Sequence, residues 1–140
     1  MKKLFCIATL AALLTACGSN SDDDGLPETF ANHVAAQNYS EAVAQTIGKN
    51  QWGDINPQSL VEFTAKLTQS ANSMGAYKFH ERVASEGIGE RWRKVTYLIG
   101  FEREPLLVVF TLYKPADKWL VMDISYTKHF RIDNGQIITK

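Results

Sequence analysis

Glu81, with Tyr97 or Tyr126 as a hydrogen-bonding partner, is the strongest candidate in this chain for acid–base chemistry. Strand periodicity through Tyr77, Phe79, Glu81 and Val83 sets the carboxylate on the core-facing side. There a phenol from Tyr97 or Tyr126 would complete a general base with a hydrogen-bond donor beside it. A β-bulge, or pairing with Arg82 or Arg93, would leave Glu81 on a wet rim instead. Asp123 shares its phase with Trp119, Val121 and Ser125 and reads as an outward strand residue. His33, His80 and His129 lack the paired spacing of a zinc helix or loop, so no metal is expected. Asp22, Asp23 and Asp24 lack the Gly and Glu that a calcium loop places after them. Gly87-Ile88-Gly89 has too few glycines to cradle a phosphate and reads as a hairpin. Arg91-Trp92-Arg93-Lys94, diluted by Glu86 and Glu90, reads as the charged end of a strand. No nucleophile motif and no cofactor motif is present, so non-catalytic binding leads and an enzyme using Glu81 follows.

The elements that position these groups come in a definite order. From Pro27 the apolar spacing is helical, with Asn38, Tyr39 and Ser40 suited to break one helix into two and Gly48 to end the segment. Residues 49–55 read as a loop carrying Trp52. Asn56-Pro57 is the clearest helix start, an N-cap followed by proline at the first helical position. Leu60, Phe63 or Thr64, Leu67, Ala71 and Met74 then form one stripe that stops at Gly75. Beyond it the period becomes two, and four strands are expected over 76–85, 91–101, 105–113 and 118–128, joined by hairpin-length links and so antiparallel. Val95, Tyr97, Ile99 and Phe101 share one face of the second strand, and Leu120, Met122, Ile124 and Tyr126 one face of the last. The third strand is apolar on both faces. Leu107, Val109, Trp119 and Val121 therefore fall on the non-core phase and form a candidate association surface, unless the Trp52 loop or the tail from Phe130 covers them.

At the front, Lys2 and Lys3 precede an apolar run over 4–14, which ends in Leu14-Thr15-Ala16-Cys17. This resembles the lipobox of bacterial lipoprotein precursors. The resemblance implies a signal peptide over 1–16 and a lipid anchor on Cys17, with a diacylglycerol on sulfur and an acyl chain on the new amino group. Each buried methylene is worth about 0.8 kcal/mol, so two or three chains anchor durably where one does not. Gly18 stands where an Asp would retain the protein at the inner membrane, so the resemblance implies an outer-membrane protein facing the periplasm, or the outer face of the plasma membrane in a host with one membrane. Cys6 leaves with the signal and Cys17 takes lipid, so the folded part is expected to hold neither disulfide nor thiolate metal site. Residues 17–26, rich in Asp and Ser, read as the lipidated Cys and a solvated tether spanning on the order of 15–20 Å, and 27–140 as one domain. Without Lys2 and Lys3, 13 basic side chains face 15 acidic ones, and such a balance does not recruit nucleic acid.

Helices followed by a β-meander, with Gly75-Ala76-Tyr77 opening the strands and Phe110-Thr111-Leu112-Tyr113-Lys114-Pro115 followed by Trp119, Val121 and Tyr126, resemble the small nuclear transport factor 2-like domains of lipoproteins. The resemblance implies an α+β, cystatin-like cone: N-terminal helices on a curved four-stranded antiparallel sheet. It carries no catalytic residue with it. Function on this reading is a membrane-anchored module binding an envelope protein, a second copy of itself, or a small apolar ligand; the alternative is an isomerase-like or dehydratase-like enzyme with an inward carboxylate.

Overall fold

The computed structural model describes residues 23–51 and 56–139. The signal segment, Cys17, residues 18–22 of the expected tether, and Trp52 lie outside the described residues. Within them the chain is α+β, with helices first and strands after. Helices α1 (Leu26–Ala35), α2 (Tyr39–Ala44) and α3 (Pro57–Met74) precede strands β1 (Tyr77–Ile88), β2 (Trp92–Phe101), β3 (Pro105–Tyr113) and β4 (Leu120–Thr127). A hairpin of β5 (Phe130–Asp133) and β6 (Gln136–Thr139) closes the order. The first four strands form one antiparallel sheet in sequence order, and the hairpin is a separate two-stranded unit.

The helical break falls where Asn38 sits, though its side chain does not cap α2. The bend is made by Gln37, held at φ 61°, while the Asn38 amide donates to the His33 carbonyl at 2.8 Å. α3 begins as its sequence dictates: the Asn56 side chain accepts from the Gln58 amide at 2.9 Å and Pro57 supplies a residue with no amide to satisfy. It ends at Gly75, whose φ of 89° favours glycine, and a Cβ there would stand 3.1 Å from that of Glu102. The Arg103 amide takes the Met74 carbonyl at 2.9 Å, which fastens the end of α3 to the β2–β3 turn.

The helices cover one face of the sheet. Phe30 and Val34 of α1, Ala42 and Val43 of α2, and Leu67, Ala71 and Met74 of α3 meet Val95, Tyr97, Ile99, Leu106, Val108, Phe110 and Leu112 in a continuous core. Phe110 is its centre, edge-on to Phe30 at 5.3 Å and to Tyr97 at 6.1 Å.

Three irregularities decide which side chains enter that core. The β1 register slips between Tyr77 and Phe79 and again between Arg82 and Ala84, and the β3–β4 register slips so that Thr111 faces Asp123 while Leu112 faces Val121. Each slip reverses the facing of the residues beyond it. Tyr77 stays on the core side, but Phe79 and Val83 are exposed on the opposite face, where the Phe79 ring lies against Gly100 in space no Cβ could share. In β4 the slip draws Val121 and Trp119 inward, and both are buried. Asn50 stabilises this bulge by donating to the Val121 carbonyl at 3.0 Å.

Residues 23–25 depart from the expected solvated tether. The Asp23 side chain is fully buried and lies 2.7 Å from the Arg82 guanidinium, an ion contact off the line of a well-aligned hydrogen bond. Its other oxygen accepts from the Gly25 amide at 3.1 Å, and Asp24 accepts from the Trp119 amide at 2.8 Å. Two carboxylates thus find specific donors and dock the chain where composition alone suggested hydration.

Candidate functional site

Two places in the fold gather groups able to act on something else. The first is a polar network between α1 and the sheet. Glu28, in the first turn of α1, accepts from the Tyr97 hydroxyl at 2.7 Å and meets His80 Nε2 at 3.0 Å. His80 Nδ1 meets the Tyr77 hydroxyl at 2.7 Å, and the Arg82 guanidinium stands 5.7 Å from the centre of the Tyr97 ring. His80 and Arg82 reach this side because the β1 slips turn alternate residues toward the helices. Burial opposes ionisation of Glu28, yet the hydrogen bonds from His80 and Tyr97 and the charges of His80 and Arg82 outweigh it and hold the carboxyl below its ordinary range. Tyr97 is pushed up to about 12, first by burial and then by its bond to Glu28, against the opposing influence of Arg82.

A phenol with a raised pKa stabilises the fold only while protonated. That contribution is whole below the ordinary value near 10 and is lost as pH climbs through about 12. Tyr97→Phe should therefore remove the latest step from the phenolate absorbance titration and flatten the fall of stability in that alkaline window. Loss of a step near 10, with the latest step retained, would mean that Tyr97 ionises like a solvated phenol.

Of the residues read from sequence as catalytic candidates, only Tyr97 belongs to this network. Glu81 faces Leu98 across the β1–β2 pair, on the sheet side away from the helices, and is exposed. The slips that carry His80 and Arg82 inward turn it out. Tyr126 packs edge-on against Phe63 at 5.4 Å. The carboxylate that does face a phenol is Glu28, which sequence reasoning missed because it lies 69 residues from Tyr97 in a helix whose facing nothing local announces.

The second place is the other face of the sheet. Leu107, Val109, Thr111, Thr96, Ser125 and Thr127 lie on it, and the β5–β6 hairpin stands over it through residues 135–139. Between them is a groove of about 760 Å³. Its floor is apolar at Leu107 and Val109, hydroxyls line its walls, and Lys94, Glu86 and Asp123 stand at its margins. The tail from Phe130 does cover this face, as the sequence allowed: Leu107 is fully buried, while a space remains over half-buried Val109. Of the four residues expected to form an association surface, Leu107 and Val109 are here; Trp119 and Val121 belong to the core because of the β4 bulge.

Among the described residues no three His, Cys, Asp or Glu side chains converge as a metal site would need, and no helix is long and apolar enough to cross a membrane. Compared with known proteins, the chain stands on its own geometry: no family model, no curated protein and no solved structure matches it.

Proposed function

We propose that this protein is a lipid-anchored binding module of the bacterial cell envelope that holds a small ligand with both apolar and polar parts between its outer sheet face and the β5–β6 hairpin. The groove of about 760 Å³ carries the reading, since its size lies in the range of ligand sites and it sets apolar side chains from Leu107, Val109, Ile137 and Ile138 among walls rich in hydroxyls and charged groups. The anchor rests on Leu14-Thr15-Ala16-Cys17, and Gly18 favours the outer membrane over the inner one. The nuclear transport factor 2-like cone is the fold reading that the order of helices and antiparallel strands supports. A small ligand is favoured over an envelope protein partner or a homodimer, because burial of Trp119 and Val121 removes half of the apolar patch that such a partner would have used. Catalysis is weaker still: none of the groove's lining residues is Glu28, His80, Tyr77 or Tyr97, so the network that could move a proton lies outside the groove and fastens α1 to the sheet.

Val109→Trp tests the reading by filling the groove from its half-buried floor. With N-phenyl-1-naphthylamine as probe, the wild type should bind saturably and the variant should lose most of its affinity, with a change in stability below about 1 kcal/mol. Equal affinity in both proteins would place the ligand elsewhere. Cys17→Ser removes the acceptor sulfur and should abolish metabolic labelling by a fatty-acid analogue; labelling that persists would sink the anchor.

A further inference from the structure

We infer that the end of the sheet formed by the β1–β2 turn and the β3–β4 loop lies on the membrane, with Trp92 and Tyr113 seated among the headgroups of an anionic phospholipid bilayer. Two observations meet there, and the inference rests on the lipid-anchor reading.

The first is a row of exposed apolar side chains. Ile88, Trp92 and Tyr113 are register partners across β1, β2 and β3, so they stand side by side on the outer face. They are 78%, 41% and 38% exposed, and the Trp92 and Tyr113 rings lie 6.0 Å apart. Trp and Tyr are the side chains best suited to an interface, because each offers an apolar body with a hydrogen-bonding tip. Around them Arg91, Arg93, Lys94, Lys114 and Lys118 outnumber Glu86, Glu90, Asp117 and the docked Asp24 by one, a balance that leans toward anionic headgroups. Arg91 also donates to the Lys114 and Pro115 carbonyls at 3.0 and 3.1 Å, so the loop that carries these cations is held to the end of β2.

The second is where the chain enters the domain. Asp24 is bound to the Trp119 amide, next to Leu120, the register partner of Tyr113. From Cys17 to Asp23 there are six peptide units, which reach at most about 20 Å when fully extended. An anchored Cys17 therefore brings the Trp119 end of the sheet toward the bilayer, and that is the end bearing the aromatic row and the excess of basic groups. Docking of Asp23 and Asp24 shortens the tether relative to one that stays solvated through residue 25. The groove's margin at Lys94 and Glu86 then opens beside the lipid surface.

The full-length protein purified from membranes and reconstituted into phosphatidylethanolamine–phosphatidylglycerol vesicles with brominated acyl chains provides the test. Intact mass first establishes lipid on Cys17. Tryptophan emission should then be quenched by the brominated lipid, and Trp92→Phe, which keeps a ring beside Tyr113, should lose most of that quenching. In the wild type, iodide should reach Trp92 less readily on vesicles than in detergent. A lipidated protein whose quenching is unchanged by Trp92→Phe, with Trp92 equally open to iodide in both settings, overturns the orientation while leaving the anchor standing. A protein that carries no lipid mass overturns the anchor itself, and the orientation with it.

Discussion

Val121→Lys is expected to abolish cooperative folding. Val121 is 1% exposed and packs with Leu112, Trp119 and Ile124 inside the core, although simple alternation along β4 would set it facing out. A lysine there must either bury an ammonium without a partner, at a penalty of several kcal/mol, or break the bulge that Asn50 fastens to the Val121 carbonyl. A domain of this size has only about 5–15 kcal/mol to lose. Circular dichroism of the variant should show no cooperative melt, whereas Val109→Lys, on the half-buried outer face, should retain one. A folded Val121→Lys beside an unfolded Val109→Lys would mean that the β4 bulge is misplaced and the two faces exchanged.

Phe110→Ala should be the most damaging apolar truncation. The ring is fully buried and makes edge contacts with both Phe30 and Tyr97, so its loss leaves a cavity bounded by α1 on one side and β2 on the other. The expected cost is about 3–5 kcal/mol, measured as a lower midpoint with an unchanged slope in a urea melt. Leu67→Ala, whose cavity opens under α3, should cost roughly 2–5 kcal/mol. A Phe110→Ala cost below about 1 kcal/mol would contradict the close packing of α1 on the sheet.

Much of the architecture was legible because its signals are local. Asn56-Pro57 starts α3 by satisfying an exposed amide, Gly75 ends it by adopting a positive φ, and the change of period after Gly75 announces strands. Facing within the strands was less legible, since alternation holds only while register is unbroken. The slips in β1 and β4 are supported by partners distant in sequence: Asn50 reaches the Val121 carbonyl from 71 residues away, and Asp23 meets Arg82 from the entry strap. No pattern within β1 or β4 encodes those partners, and they account for the outward turn of Glu81 and the inward turn of Val121. The C-terminal hairpin had a signal that the sequence reading passed over. Asn134-Gly135, with φ of 49° and 78°, is the residue pair that tight two-residue turns favour, and it lies between alternating residues of β5 and β6. Without that hairpin the outer sheet face reads as an open patch; with it, the same face is the floor of a groove.

Native mass spectrometry of the membrane-extracted protein reads occupancy of that groove. The wild type should carry, beyond the lipid on Cys17, a non-covalent mass that gentle activation releases, and Val109→Trp, equally lipidated and folded, should carry none. A bound mass retained in full by Val109→Trp would contradict the assignment of the groove as the binding site.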